Sequence, residues 1–286
     1  MSLVSVVIPA RNAAGTLPFQ LEALRRQDHD GDWEVVVADD GSTDGTGAVA
    51  AAFGASLPVR VVDTGPRRGP AAARNAGARA AAGTRLLFTD ADDVAAPGWL
   101  HGLARSSHLF ATGPIPRFRG RGRPPDGLLG LASRPPTLLG YLPYAPGANL
   151  AIDAACFAAL GGFDESLRVG EDVDLSWRAQ LAGQELAFVA DAIVHKRDDD
   201  RAWQELRRHY HYGRADAVLY RRYRDRGAPG PDAGAAARAY AAIGARVAVA
   251  CRPGAGRSDE RRRLVQQLGR RAGRLAGSLG CRVWYP

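Results

Sequence analysis

One stretch decides how this chain is read: RLLFTDADDV, residues 85–94. Its first half is apolar or β-branched, whereas Asp90, Asp92 and Asp93 follow almost without interruption. Apolar side chains usually bury and aspartates usually do not, so the pattern predicts a buried strand that ends at an exposed edge. In open parallel sheets, ligands bind beyond the carboxyl ends of the strands. These aspartates are therefore the first candidates for a functional site.

The residues before this stretch alternate apolar strands with helical segments. Strands are predicted at 4–8, 33–39, 59–63 and 85–89. Helices are predicted over Leu17–Gln27, after DGSTDG with a cap at Ser42, Thr43 or Asp44, and over Pro70–Ala82. Continuous apolar strands separated by helices indicate an α/β fold, with a doubly wound, mainly parallel sheet flanked by helices.

Composition shifts predict the domains. Residues 1–200 form the main domain, with a first half at 1–113, a Pro/Arg-rich loop at 114–146 and a second half at 147–200. Residues 201–286 form a helical, basic C-terminal extension with a break at 227–234.

Charge separates the two regions. The formal net charge is +8, but residues 201–286 hold 19 arginines against 6 acids. This favours an anionic partner for the extension, such as lipid headgroups, nucleic acid or a polyanionic substrate; the alternative is a solvated face in an arginine-rich chain. No apolar run reaches the length of a membrane helix, and the first ten residues lack a positive signal-peptide region. Three scattered cysteines favour reduced thiols, so we expect a cytoplasmic protein.

The acids at the strand ends predict a cation. Asp39 and Asp40 end the second strand as Asp90, Asp92 and Asp93 end the fourth. Crowded carboxylates repel unless a positive charge lies among them, and carboxylate oxygens suit Mg²⁺ or Mn²⁺. If the strand continues, its period of two places Asp90 and Asp92 on one side. The alternative is capping of helices and turns, which suits Asp44 and Asp93. A calcium loop starting at Asp40 is excluded because its twelfth position is Ala51.

Several stretches in order resemble the family 2 glycosyltransferases of the GT-A fold, over roughly residues 1–200. They are VSVVIPARNAAGTL, VVVADDGSTDGT, GPAAARNAG, LLFTDADD, GANLAI, GGFDESL, GEDVDLSWRAQLAG and IVH. The resemblance implies an inverting, Mg²⁺- or Mn²⁺-dependent transfer of a sugar from a nucleotide-diphosphate donor of the UDP, GDP or dTDP type to an acceptor hydroxyl.

The resemblance makes residues 1–113 the nucleotide-binding half and residues 147–200 the acceptor and catalytic half. It also implies residue roles. Those expected to bind the nucleotide-sugar are Pro9, Arg11, Asp39, Arg74, Asp90 and Ala91, and those expected to bind the metal are Asp92 and His195. Asp39 would contact the base, Arg74 the base or phosphates, and Asp90 the ribose or sugar.

Three acids open the segment GEDVD: Glu171, Asp172 and Asp174. The resemblance makes Asp172 the catalytic base, with Glu171 supporting it or contacting the acceptor. The alternative is simple pairing of acids with a helix N-terminus. Asp174 lies four residues before Arg178, which predicts a surface ion pair.

Two departures from the family bear on the acceptor. Membrane spans and a Q-x-x-R-W motif are missing, which favours single-sugar transfer over polymerisation. The loop contains Arg117, Arg119, Arg121 and Arg123, which suit an anionic or lipid-linked acceptor; the alternative is a disordered segment.

The last predicted helix is amphipathic, with Leu264, Leu268, Ala272, Leu275 and Leu279 near helical spacing. This favours peripheral binding to an anionic membrane at the inner face of the plasma membrane; the alternative is packing on the enzyme or another subunit. No specific nucleic acid is expected.

Other functional classes fit less well. A nucleotidyltransferase would leave GEDVD unexplained, and a non-catalytic nucleotide-sugar-binding protein of the same fold would not need every acid. A receiver domain needs a lysine on a late strand, and the single lysine, Lys196, lies far outside the first sheet block.

Overall fold

The computed structural model describes residues 3–120, 122–125, 127, 132–198, 201–250 and 258–286. The chain divides into two compact units. We call Met1–Leu138 with Leu142–Asp198 the sheet unit, and Leu139–Tyr141 with Asp199–Pro286 the helical unit. The predicted boundary at residue 200 lies next to this division. The inclusion of Leu139–Tyr141 in the helical unit had no sequence signal.

Ten strands are present in the described residues. They are β1 (Val4–Ala10), β2 (Trp33–Asp39), β3 (Val59–Asp63), β4 (Arg85–Phe88), β5 (Val94–Ala95), β6 (Phe110–Thr112), β7 (Arg117–Phe118), β8 (Leu150–Asp153), β9 (Leu186–Phe188) and β10 (Val194–Arg197). The described helices are α1 (Leu17–Arg25), α2 (Thr46–Ala52), α3 (Pro70–Ala80), α4 (Trp99–Ala104), α5 (Ala154–Ala159), α6 (Glu171–Leu181), α7 (Ala202–Tyr223), α8 (Ala233–Ala250) and α9 (Ser258–Cys281).

The main sheet has seven strands in the order β3-β2-β1-β4-β8-β6-β9. The four strands from β3 to β4 are parallel, as the alternation of strands and helices predicts. β8 runs antiparallel to both β4 and β6, and β9 returns parallel to β6. The sheet is therefore mixed but mainly parallel, which confirms the predicted fold class.

Helices cover both faces of this sheet. In β1, Val6 and Ile8 join a core with the apolar sides of α1 and α4. The residue between them, Val7, joins a second core with α3, α5 and α6. Each buried side chain of this size contributes about 1.5–3 kcal/mol relative to an exposed one, so strands apolar on both faces hold two layers of helices.

A second sheet has three short strands in the order β5-β10-β7. β10 pairs antiparallel with β5, placing His195 opposite Val94, and parallel with β7, placing Lys196 opposite Arg117. Part of the Pro/Arg-rich segment predicted as a loop is thus a strand. Arg121 lies outside the described residues.

The helical unit depends on close contact between α7 and α9. A Cβ added at Gly273 would lie 2.0 Å from the carbonyl oxygen of Tyr210, and one at Gly213 would lie 2.0 Å from that of Arg270. Only glycine permits the two backbones to approach so closely. The predicted break at 227–234 corresponds to the residues between Tyr223 and Ala233.

The predicted apolar side of α9 is largely exposed. Leu268, Leu275 and Leu279 are 43%, 38% and 83% exposed, whereas Gly273 and Gly277 are buried. The helix therefore packs on α7 through glycines and leaves these leucines at the surface. None of the described helices is both long enough and apolar enough to cross a bilayer.

Some local predictions need correction. The residue before α2 is Gly45, in a left-handed conformation with no side-chain cap, so Ser42, Thr43 and Asp44 do not cap the helix at that position. Asp44 instead accepts hydrogen bonds from the backbone N–H and hydroxyl of Thr46.

Candidate functional site

The aspartates after β4 lie in a turn. The strand ends at Phe88, and the Asp93 N–H approaches the Asp90 carbonyl oxygen at 3.4 Å. The predicted extension of the strand through Asp92 does not form, so the pleat is not what brings the carboxylates together. The turn does so instead: one ligand oxygen from each of Asp90, Asp92 and Asp93 lies within 4.8 Å of the others. We call residues 90–93 the aspartate turn.

Gln20 on α1 anchors this turn at both ends. Its side chain is fully buried, donates to the Thr89 hydroxyl at 2.9 Å and accepts from the Ala95 N–H at 2.8 Å. A buried amide with both groups hydrogen-bonded fixes the chain on either side of the carboxylates. The sequence signal for this role was a glutamine on the apolar side of a helix, and the sequence analysis missed it.

Lys196 on β10 enters the aspartate turn. Its ammonium Nζ lies 3.1 Å from Asp90 Oδ2 and 3.1 Å from Asp93 Oδ2. The Arg197 N–H also donates to Asp93 Oδ1 at 3.2 Å. The sequence gives no sign of this contact, because Lys196 lies more than a hundred residues from these acids. The pairing of β10 with β5 brings it among them. Asp93 is fully buried in an ion pair, so its predicted role as a cap is wrong.

The charges of this group shift one another. Burial lowers the pKa of Lys196, but the carboxylates of Asp93, Asp90 and Asp92 more than offset this and raise it above its usual value. Burial raises the pKa of Asp93 to about 8 despite Lys196, with Asp92 and Asp90 adding to the rise. The pKa of Asp90 falls below its usual range because Lys196 and Arg74 together outweigh its burial. Lys196 therefore carries a positive charge among these carboxylates.

Arg74 on α3 joins the aspartate turn to the start of α6. Its buried guanidinium donates to Asp90 Oδ1 at 2.7 Å and to Glu171 Oε1 at 2.8 Å. Burial lowers its pKa, but Asp90, Glu171 and Asp172 more than offset this and raise it. Arg74 was predicted to contact a bound nucleotide, and in this structure its guanidinium is held between two carboxylates.

The two acids that open α6 differ in environment. Glu171 is buried, and this burial, followed by the charge of Asp172, raises its pKa to about 7. Asp172 is only half-buried, accepting from the Gly147 N–H at 2.9 Å and from its own neighbour, the Val173 N–H, at 2.8 Å. Asp172 is thus the carboxylate of the pair that solvent reaches, and a backbone N–H sets its orientation.

The third acid, Asp174, forms the predicted pair with Arg178, but not at the surface. Asp174 is fully buried and accepts from Arg178 Nε at 2.8 Å. Arg178 also donates to the carbonyl oxygens of Leu160 and Gly162. The pair therefore ties α6 to the segment after α5, and the predicted surface location is wrong because the helix packs in the core.

The loops after β1 and β2 are joined by hydrogen bonds. Arg11, next to Pro9 and Ala10, is exposed and donates to the carbonyl oxygens of Asp40 and Gly41 at 2.7 and 3.2 Å. Asp39 is half-buried and accepts from the Ser42 N–H at 2.9 Å. The structure thus brings Pro9, Arg11 and Asp39 to the same edge of the sheet.

Asp40 has a structural role that the sequence analysis missed. Its buried carboxylate accepts from the N–H groups of Arg68 and Gly69 at 2.7 and 3.0 Å. It therefore fixes the loop that leads into α3 and so helps to position Arg74.

Two further predicted binding residues lie in or beside the aspartate turn. Ala91 is part of the turn and is buried, and His195 is buried on β10 beside Lys196. Among the described residues, the ligand group around Asp92 contains the other two aspartates and not His195. His195 as a metal ligand stays a prediction.

A second group of the described residues has metal-ligand character: His29, Asp30 and His101. The Asp30 carboxylate is exposed and already paired with Arg105 at 3.2 Å. The aspartate turn offers only carboxylate oxygens, the donor type that Mg²⁺ and Mn²⁺ prefer. Its Asp92 is exposed, whereas Asp90 and Asp93 form ion pairs with Arg74 or Lys196.

The arrangement supports two kinds of chemistry at one edge of a sheet. The aspartate turn presents carboxylates and Lys196 to a charged ligand. Asp172 presents an accessible carboxylate that is connected to the turn through Glu171 and Arg74. Such a site suits an anionic ligand bound with a cation, next to a hydroxyl that must lose a proton.

Comparison with known proteins identifies relatives. Residues 5–120 match the family described as glycosyl transferase family 2. The pre-mycofactocin glycosyltransferase of Mycobacterium tuberculosis is 32% identical over 243 residues, covering 79% of this chain and 49% of that protein. Validoxylamine A glucosyltransferase of Streptomyces hygroscopicus subsp. jinggangensis is 41% identical over 118 residues, covering 40% of this chain and 26% of that protein. The chain thus spans about half the length of the first relative and less of the second.

Solved structures share the fold. The mannosyltransferase PcManGT from Pyrobaculum calidifontis, in complex with GDP-Man and Mn²⁺, superimposes with a TM-score of 0.68 at 21% identity, covering 96% of this chain and 87% of that one. TarS from S. aureus, in complex with UDP-GlcNAc, gives a TM-score of 0.59 at 22% identity, covering 75% and 65%. At these identities the likeness concerns the fold.

Proposed function

Because this chain belongs to glycosyl transferase family 2, we propose that it transfers one sugar from a nucleotide-diphosphate donor to an acceptor hydroxyl, with inversion. The names of its relatives support sugar transfer. Solved structures with the same fold hold UDP-GlcNAc or GDP-Man, which supports a UDP or GDP donor, and dTDP remains in the set to be tested.

One observation carries the proposal: Arg74 joins the aspartate turn to the start of α6. Its guanidinium contacts Asp90 on one side and Glu171 on the other, at 2.7 and 2.8 Å. A donor bound at the turn and an acceptor bound near Asp172 would therefore be held in a fixed relation. Positioning two reactants in this way lowers the entropic cost of their reaction.

Asp172 is the proposed general base. Of the two acids that open α6, it is the one that solvent reaches, while Glu171 is buried against Arg74. The Gly147 N–H orients its carboxylate, and a carboxylate oxygen keeps a second lone pair for an acceptor hydroxyl. Asp172 would accept the hydroxyl proton while the oxygen attacks the anomeric carbon and the bond to the diphosphate breaks. Glu171 and Arg74 are positioning residues in this scheme.

Asp92 is the proposed metal residue, with His195 as a predicted second ligand. Asp92 is the exposed member of the aspartate turn, and its oxygen is a donor that Mg²⁺ and Mn²⁺ accept. When bound there, such an ion supplies positive charge to the diphosphate that leaves.

Residues at the other strand ends would bind the nucleotide. We assign Asp39 to the nucleotide base, and Asp90 and Ala91 to the ribose or the sugar. Pro9 and Arg11 lie in the first turn that would contact the nucleotide. The hydrogen bonds between the loops after β1 and β2 support this assignment because they hold these residues at one edge of the sheet.

We further propose an anionic or lipid-linked acceptor and peripheral binding to an anionic membrane. Exposed leucines on α9 and the arginine-rich helical unit support membrane binding, since the apolar side chains enter the interface and the guanidinium groups meet the headgroups. In the sheet unit, Arg117 is 53% exposed and forms an ion pair with Asp198 at 2.6 Å, so an anionic acceptor bound there would compete with Asp198.

Nucleotide release tests the transfer proposal. Wild-type protein should release nucleoside diphosphate from one of the UDP-, GDP- or dTDP-sugars with Mn²⁺ present. Asp172→Asn should reduce turnover about 100- to 10,000-fold, the range typical of a general base, while donor binding in a thermal-shift assay survives. Glu185→Gln is the control, because its side chain is 81% exposed and outside the site. Full turnover by Asp172→Asn would remove Asp172 as the base, and no release from any donor would overturn the proposal.

A further inference from the structure

Lys196 is the single lysine of a chain whose lysines and arginines number 38. Arginine carries a broad planar guanidinium, whereas lysine carries a compact point charge on a flexible stem. A chain that uses arginine at every other basic position thus has a compact ammonium at the aspartate turn. The contacts of this ammonium indicate what it does there.

The ammonium uses the same oxygens that a divalent cation would use. Nζ lies 3.1 Å from Asp90 Oδ2 and contacts both oxygens of Asp93, at 3.1 and 3.5 Å. The other Asp90 oxygen accepts from Arg74, and Asp93 Oδ1 also accepts from the Arg197 N–H. Every carboxylate oxygen of Asp90 and Asp93 is therefore engaged by a donor of this chain.

A divalent ion does not fit between these two carboxylates while Lys196 remains. Mg²⁺ binds oxygen at about 2.0–2.1 Å, so an ion shared by Asp90 and Asp93 would lie almost in contact with Nζ. Two cations at that distance repel strongly in a partly buried site. The third carboxylate of the turn differs, because Asp92 is exposed.

We infer that Lys196 replaces a resident cation between Asp90 and Asp93 and leaves Asp92 as the carboxylate of the turn that binds a divalent ion. A single carboxylate binds Mg²⁺ or Mn²⁺ weakly, and such ions commonly take further ligands from substrate phosphates. Divalent-ion binding therefore needs the diphosphate of the donor. This last step rests on the proposed function, whereas the role of Lys196 in the protein without donor does not.

Manganese binding without donor tests the inference directly. The free Mn²⁺ signal in electron paramagnetic resonance would be followed during titration of wild-type protein, Lys196→Met and Lys196→Arg. We expect Lys196→Met to bind Mn²⁺ at least about tenfold more tightly than wild type, since it removes a positive charge from among three carboxylates. Lys196→Arg keeps the charge and should bind as weakly as wild type. Adding UDP or GDP should strengthen binding by wild type much more than binding by Lys196→Met.

Folding of the variants is checked by circular dichroism. If Lys196→Met does not fold, the double variant Lys196→Met/Asp93→Asn removes both members of the buried pair and keeps Asp90 and Asp92. It too should bind Mn²⁺ more tightly than wild type without donor. The inference would be overturned if wild type and folded Lys196→Met bound Mn²⁺ with equal affinity, or, where Lys196→Met does not fold, if wild type and the double variant did.

The outcome is distinguishable from that of the proposed function. The titration without donor requires no sugar transfer, so it can succeed where every nucleotide-sugar fails to react. Conversely, an active enzyme whose wild-type form binds Mn²⁺ tightly without donor would retain the proposed function and contradict the role of Lys196.

Discussion

The two units bury charge in opposite proportions. In the sheet unit, the two cations Arg74 and Lys196 meet five carboxylates at the aspartate turn and the start of α6: Asp90, Asp92, Asp93, Glu171 and Asp172. In the helical unit the proportion is reversed, because the buried Asp216 accepts from both Arg270 and Arg274, at 2.8 and 2.7 Å.

The difference separates a site for ligands from a structural contact. Surplus carboxylates raise the free energy of the folded protein through repulsion. The pKa of Glu171 is raised to about 7 by its burial first and by the charge of Asp172 second. Such a surplus is relieved when a cation or a proton binds. A single carboxylate between two arginines needs neither, which is typical of a structural contact. The excess positive charge of the helical unit is what the proposed binding to an anionic membrane would use.

The largest expected stability effect comes from removing the bridge in the sheet unit. Arg74→Met leaves Glu171 without its cation and Asp90 with Lys196 alone. Breaking a buried ion pair on one side costs about 3–5 kcal/mol, which urea unfolding of the variant would measure. The folded-state pKa of Glu171 is about 7, above its ordinary value of 4.5. As the pH rises between these two values, ionisation of Glu171 destabilises the folded protein, and it does so more strongly without Arg74. The loss should therefore be smaller at pH 5 than at pH 8.

Arg105→Met is the matched control for the bridge. Arg105 and Asp30 are 53% and 58% exposed, and exposed pairs contribute about 0–1 kcal/mol. If Arg74→Met destabilised the protein no more than Arg105→Met, the guanidinium of Arg74 would not be needed to compensate the surplus carboxylates of the sheet unit.

A moderate effect is expected from the backbone contact in the helical unit. Gly273→Ala places a methyl group 2.0 Å from the Tyr210 carbonyl oxygen, so α7 and α9 must move apart. Overpacking of this kind typically costs about 1–3 kcal/mol and would appear as faster amide hydrogen exchange in both helices.

Gly280→Ala, on the same helix, has open space around its Cβ and should leave exchange in α7 and α9 unchanged. Unchanged exchange in Gly273→Ala as well would mean that the Asp216 contacts, and not the glycine face, hold the helices together.

The smallest effect concerns the surface of the helical unit. Leu275→Glu/Leu279→Glu replaces two exposed leucines by anions and should reduce co-sedimentation with anionic lipid vesicles about tenfold, since lost apolar burial and added repulsion act together. Leu109→Glu, a 48% exposed leucine of the sheet unit, is the control. Vesicle binding that survives the double substitution would mean that the exposed leucines of α9 do not contribute to membrane binding.

The strands and the edge that carries the acids could be predicted from the sequence. Apolar runs such as VSVVI and RLLF specify strands buried on both faces, and polar side chains that follow them must lie at the rim. The position of Asp172 at a helix start could also be predicted, because it depends on nearby residues, whereas its role as the base stays a prediction. These features depend on residues that are close together in the chain, so the sequence alone is enough to predict them.

Only the tertiary structure decided how the charges pair. Lys196 reaches Asp90 and Asp93 because β10 pairs with β5, and Arg74 reaches Glu171 because α3 and α6 pack on the same face of the sheet. Asp174 is buried for a similar reason, although its pair with Arg178 was predictable from spacing alone. Electrostatic energy depends on distance and burial, and both are set by contacts between segments far apart in the chain. The sequence thus determined which groups stand at the rim, and the fold determined which of them are neutralised and which stay open to a ligand.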